Sequence, residues 1–188
     1  MTSSPVPQSA GIAAPLRNLY FLRSAFQLVW ALVLIIAGSA TGLSPLTITL
    51  LLLYPLFDVA AAIVDHRASR ATGPASLLYV NMALSVLAAV GLGFAVASGT
   101  SAVMVVWGLW AVTAGAVQLI VALLRRKLGG QWPMILSGGI SVLAGAGFIL
   151  QSTKSESVTG LGGYAILGAV FFLISAIRLG RAAKAATR

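Results

Sequence analysis

From about residue 19 to residue 180 the chain is apolar almost without interruption, and this feature allows few folds. A helix that crosses about 30 Å of hydrocarbon needs about 20 residues. Breaks rich in Gly, Pro, Ser or charge divide the apolar sequence into six such lengths, near 20–40, 46–64, 75–97, 102–124, 132–151 and 159–179. The 8% of charged residues could not cover a soluble surface, which usually carries about 25%. We therefore predict an all-α membrane protein with six transmembrane helices.

Basic residues accumulate at alternate breaks, which predicts the orientation of these helices. All but one of the 12 Lys and Arg residues fall on one predicted side, namely Arg17, Arg23, Arg67, Arg70, Arg125, Arg126, Lys127, Arg178, Arg181, Lys184 and Arg188. Cytoplasmic loops carry such an excess, so we expect a plasma (inner) membrane protein with both termini in the cytoplasm. The net charge of +9 then indicates anionic lipids as partners rather than nucleic acid.

The domain organisation follows from the same composition. Residues 1–18 are rich in Ser, Pro, Ala and Gly and are predicted to form a mobile tail, residues 19–180 the transmembrane domain, and residues 181–188 a basic cytoplasmic tail. Gly38-Ser39-Ala40 could serve as a signal-peptide cleavage site. The apolar stretch before it is longer than the usual 7–15 residues of a signal core, which favours a retained first helix.

Internal similarity predicts that the six helices form three parallel helical-hairpin repeats, near residues 20–65, 75–125 and 132–179. Gly93-Phe94 aligns with Gly147-Phe148, and Gly115 aligns with Gly168 in the same register. Each hairpin begins and ends on the basic side. The repeats are therefore parallel, since inverted repeats need an odd number of spans in each unit.

Several segments resemble the HdeD-type acid-resistance membrane proteins, which consist of short membrane hairpins and have no assigned mechanism. They are LRSAFQLVWALVLIIAG with Pro45 after it, WAVTAGAVQLIVALLRRK, MILSGGISVLAGAGFIL and GYAILGAVFFLISAIRLG. The similarity covers about residues 20–180. Ser24 and Val59 stand where family hairpins often have Gly. The resemblance implies an inner-membrane protein linked to acid or envelope stress, and it supplies no catalytic residues.

Asp58 is the candidate functional residue because it lies about 10 Å inside the predicted end of helix two. A carboxylate at this depth costs about 2.5–3.5 kcal/mol to insert, so it needs a partner, a proton or a polar cavity. Tyr54, one turn earlier, and Arg23, on the neighbouring helix, are the nearest candidate partners. The sequence leaves open a structural Asp–Arg pair, a proton-linked or substrate-binding Asp58, and a side chain that only extends to the interface.

The sequence lacks the residue sets that enzymes use. It has no cysteine, one histidine and three acidic residues, and we find no Gly-rich phosphate loop or nucleophile motif. We therefore expect no catalytic, cofactor or metal site and a non-enzymatic protein of the HdeD type. The alternative is a small transporter or channel that uses Asp58. The formation of a homo-oligomer stays open.

Overall fold

The computed structural model of the protein describes residues 8–38, 42–69 and 75–185, with side chains from residue 13 onward. Within these ranges six long α-helices are apolar and long enough to cross a membrane, which confirms the predicted class of multi-pass membrane protein. Their bounds are α1 Gln8–Ala37, α2 Pro45–Ala68, α3 Ala75–Ala95, α4 Thr100–Leu124, α5 Trp132–Gln151 and α6 Thr159–Ala185. Short 3-10 helices follow α3, α4 and α5.

Helices α1 and α6 both extend into the segments that were predicted to form tails. Helix α1 begins at Gln8, so residues 8–18 do not form a mobile tail. Leu16 and Leu19 are buried in the bundle, and this packing outweighs the Ser- and Pro-rich composition on which the prediction rested. Helix α6 continues to Ala185 and includes most of the predicted basic tail. Residues 1–7 and 186–188 lie outside the described residues.

The six helices form a closed ring in which each packs beside the next in sequence and α6 packs beside α1. We call the end of the bundle that carries Arg67, Arg126 and Arg178 the basic end. The most extensive packing is between α4 and α5 and between α1 and α6, so it joins different predicted hairpins. The superposition of the three hairpins stays a prediction.

Glycines explain why α4 and α5 pack so closely. A Cβ atom added at Gly145 of α5 would lie 2.5 Å from the Gly108 carbonyl oxygen of α4. One added at Gly138 would lie 2.8 Å from the Gly115 carbonyl oxygen. The two backbones therefore touch at two levels of the membrane, as small residues permit in transmembrane helices.

Two apolar clusters fill the ring at different depths. The first includes Trp30, Leu51, Leu92, Trp107 and Leu161 and lies toward the end opposite the basic one. The second, toward the basic end, is formed by Leu16, Leu19, Tyr20, Met134, Phe172 and Leu179 with smaller neighbours. Polar side chains occupy the space between the two clusters, and they form the candidate site.

We predict that Gly145→Ala lowers the free energy of unfolding by about 1–3 kcal/mol, because its methyl group overlaps the α4 backbone. The matched control is Gly139→Ala on the same helix, since a Cβ atom there meets nothing within 4 Å. The control should be neutral or slightly stabilising, because Ala favours helix by about 1 kcal/mol over Gly. Unfolding of the purified protein in detergent measures both. Equal effects of the two substitutions would contradict the close contact.

Candidate functional site

Asp58 lies inside the bundle and receives hydrogen bonds from three side chains on two neighbouring helices. It is 5% exposed and forms a salt bridge with Arg23 of α1 through Oδ1. Its Oδ2 accepts hydrogen bonds from Asn81 Nδ2 at 2.6 Å and from Ser85 Oγ at 2.8 Å, both on α3. All three partners donate, so they match a carboxylate, which only accepts. Asp58 therefore holds α2 against both of its neighbours in the ring.

The network continues from Ser85 to α4. The indole Nε1 of Trp110 donates a hydrogen bond to Ser85 Oγ at 3.1 Å. Ser85 thus accepts from one helix and donates to another, and it is fully buried. Four consecutive helices are joined through this chain of hydrogen bonds, and a change at Asp58 would reach all of them.

Tyr54, the other predicted partner of Asp58, faces an aromatic group instead. Its ring lies 4.5 Å from Trp30, 5.5 Å from Trp107 and 5.7 Å from Trp110, measured between ring centroids. Edge-to-face contacts of this kind stabilise aromatic pairs beyond the area they bury. Tyr54 therefore forms part of the apolar cluster that bounds the site on the side away from the basic end.

A second buried ion pair lies nearer the basic end. The guanidinium of Arg125 donates to both carboxylate oxygens of Asp65 at 2.8 Å and to Ser69 Oγ at 2.9 Å. Burial alone would lower the pKa of Arg125, but its hydrogen bonds to Asp65 and the charge of that carboxylate outweigh this cost. The pKa of Arg125 therefore lies above its ordinary value, so its guanidinium remains charged.

This second pair is not evident from the sequence, because Arg125 belongs to a run of basic residues and Asp65 precedes a histidine and an arginine. Such a group normally indicates a solvated helix end. The informative signal is the spacing of seven residues between Asp58 and Asp65, which places both acids on one face of α2 two turns apart. Asn81 and Ser85, one turn apart on α3, carry a similar signal.

A cavity of about 100 Å³ lies between the two apolar clusters, in the half of the bundle nearer the basic end. Both ion pairs contribute to its wall, and every one of the six helices supplies at least two side chains. The polar residues that line it are Tyr20, Arg23, Gln27, Tyr54, Asp58, Asp65, Asn81, Gln118, Arg125, Ser137, Ser141 and Tyr164. A space of this size holds several water-sized molecules or one small solute.

Two polar atoms of the wall lack hydrogen-bond partners within the described protein. They are Oε1 of Gln27, a side chain that is 5% exposed, and Nε of Arg23, one turn away on α1. The Arg23 guanidinium also lies 4.7 Å above the Phe172 ring of α6. Buried polar atoms without partners are uncommon in proteins, so their presence at a cavity calls for an explanation.

Within the described ranges, His, Asp and Glu side chains form no group of three that could hold a metal ion. Comparison with family models, with curated proteins and with solved structures finds no match to this chain. The geometry of the site therefore carries the functional argument.

We predict that Asp58→Leu lowers the free energy of unfolding by about 3–5 kcal/mol, because it leaves the Arg23 charge and two further donors unpaired. Asp58→Asn should cost about 1–2 kcal/mol less, since its amide oxygen still accepts hydrogen bonds. The matched control is Glu156→Gln at an exposed acid, which should stay within about 0.5 kcal/mol. Unfolding in detergent compares the three variants, and equal losses for Leu and Asn would refute the role of hydrogen bonding.

Proposed function

We propose that this protein is a non-enzymatic membrane protein that binds a small polar solute inside its helical bundle and passes it across the membrane. The observation that carries the proposal is the polar cavity lined by side chains of all six helices. Buried polar residues within transmembrane bundles are expensive and typically mark solute pathways. A bundle that needed only stability would fill this space with apolar side chains.

In this proposal Asp58 is a structural residue of the binding site rather than a proton carrier. Both of its oxygens already accept hydrogen bonds, from Arg23, Asn81 and Ser85. The residues available to a solute are the neighbours of this network, above all Gln27 and Arg23 on α1. Asp58 fixes the position of Arg23, and so it shapes the site without contacting the solute.

The proposal includes the plasma membrane as the location and the cytoplasm as the side of the basic end. The basic residues at that end support this orientation through the positive-inside bias. Arg178 lies 5.4 Å from the ring of Trp132 there, as interfacial anchors do. Anionic lipids would be neighbours of these side chains.

The orientation can be tested with single cysteines, because the chain has none of its own. A membrane-impermeant maleimide added to intact spheroplasts should label Ser155→Cys, at the end opposite the basic one. It should label Arg126→Cys only after the membrane is permeabilised. The reverse pattern would show that the basic end faces outward.

Acid or envelope stress is the physiological setting that we propose, and its support is the resemblance to HdeD-type proteins. The resemblance concerns sequence and implies no mechanism. Solute passage through the bundle is compatible with such a role, since cells under stress adjust the composition of both sides of the membrane. The two parts of the proposal are separable, because flux is measured in vesicles and stress survival in cells.

Flux measurements with purified protein in liposomes test the molecular part. We expect wild-type vesicles to pass at least one solute from a panel of small neutral molecules, ions and protons faster than empty vesicles. Ser137→Phe, which adds a ring at the cavity wall, should abolish the difference. The matched control, Ser101→Phe, changes an exposed serine at the start of α4 and should retain the flux.

Two results would count against the proposal. Vesicles with wild-type protein that pass every solute no faster than empty vesicles would refute solute passage. A flux that Ser137→Phe leaves intact would show that the cavity is not the pathway. In cells, a deletion strain that survives acid and envelope stress as well as its parent would remove the stress role.

A further inference from the structure

The charges in the wall of the cavity are already neutralised in pairs. Arg23 pairs with Asp58, and Arg125 pairs with Asp65. The carboxylate oxygens accept hydrogen bonds from donors of the protein, and both terminal nitrogens of Arg125 donate to acceptors of the protein. An ion that entered the cavity would therefore find no free counter-charge, and an unpaired charge is costly in such surroundings. A neutral molecule avoids this cost.

The unpartnered atoms of the wall show what a neutral molecule must offer. Nε of Arg23 carries a hydrogen and can only donate, whereas Oε1 of Gln27 can only accept. These two residues are four apart on α1, so their side chains lie on the same face of the helix. A molecule that both accepts and donates hydrogen bonds at neighbouring atoms would satisfy them together. Amides and compounds with adjacent hydroxyl groups have this property.

The size of the cavity restricts the molecule further. Its volume of about 100 Å³ is smaller than the roughly 150 Å³ that accommodates benzene in an engineered protein cavity. Benzene has six non-hydrogen atoms, so a solute of about four non-hydrogen atoms fits the smaller space. Trp110, Phe172 and Tyr164 also reach the wall and offer apolar surface to a methyl or methylene group.

We propose that the cavity binds a small uncharged amide, held between the Gln27 carboxamide and the Arg23 guanidinium. This inference rests on the proposed function and names the class of solute. The buried ion pairs select against charge, the two unpartnered atoms require a donor and an acceptor, and the volume sets the upper limit of size. The selection against charge and the hydrogen-bonding requirement can therefore be tested separately from the limit on size.

Two pairs of probes, each pair matched in size and shape, measure how the charge of a ligand affects binding. Acetamide is compared with acetate, and urea with guanidinium, each at millimolar concentration with the full-length protein in nanodiscs. Saturation-transfer NMR reports which probes bind. We expect acetamide and urea to bind with a Kd on the order of 10 mM, as small ligands do, and their charged counterparts at least about tenfold more weakly.

Variants identify the side chains responsible. Gln27→Met keeps the length and unbranched shape of the side chain and removes its hydrogen-bonding atoms, so the affinity for acetamide should fall about fivefold. Gln151→Met makes the same change at an exposed position of α5 and should bind as the wild type does. Ser137→Phe should remove binding, and a melting curve for each variant verifies that it is folded.

The outcomes distinguish this inference from the proposed function. Acetate or guanidinium binding as tightly as its neutral counterpart would overturn the selection for neutral solutes, and a flux blocked by Ser137→Phe would still support passage through the cavity. Unchanged acetamide affinity in Gln27→Met would overturn the assigned contact. Absence of binding by all four probes would overturn this class of ligand. Absence of both binding and flux would overturn the proposed function as well.

Discussion

The structure depends on the cost of placing charge within an apolar bundle. Moving a carboxylate or a guanidinium from water into such surroundings costs several kcal/mol for each ion, and mutual attraction repays this only with good geometry and further hydrogen bonds. Both buried acids of α2 meet this requirement. Asp58 accepts hydrogen bonds from three donors, and Asp65 accepts a bidentate interaction from Arg125. Because each acid is paired with a residue from another part of the ring, the positions of α1, α2, α3 and the end of α4 are fixed relative to one another.

This requirement also explains the cavity. Two ion pairs and their partners need polar surroundings, and the ring provides them in one half while the aromatic cluster around Trp107 fills the other. An apolar core would pack more tightly and cost less. The protein instead retains a polar space beside two unpartnered atoms, which is the arrangement expected where a solute must be accommodated.

The sequence predicted the helices more completely than it predicted their contacts. Six spans follow from apolar length alone, because the bilayer requires about 20 residues for each helix. The pairing of Asp58 with Arg23 was anticipated as one of three alternatives, since few basic residues lie at a matching depth. The Asp65–Arg125 pair joins residues 60 positions apart in the chain. It depends on which helices close the ring, and local pattern does not contain that information.

The start of α1 is helical although its sequence predicts a tail. Ser, Pro and Gly before Arg17 indicate a tail, and Pro15 lowers helix propensity further. The structure nevertheless extends α1 to Gln8, because Leu16 and Leu19 are buried against other helices. Burial in the folded bundle therefore determines where α1 begins, and the composition of a short segment contains no information about that burial.

The uneven packing around the ring has a mechanical consequence. Where α4 meets α5, backbone touches backbone through Gly108 and Gly145, and no intervening side chain can change rotamer to let one helix move past the other. These two helices therefore behave as one rigid unit. The contact of α5 with α6 is sparser and involves longer side chains such as Tyr164 and Phe148, which have alternative rotamers. Any change in the shape of the ring would concentrate at the contact of α5 with α6, with α4 and α5 moving together as one body.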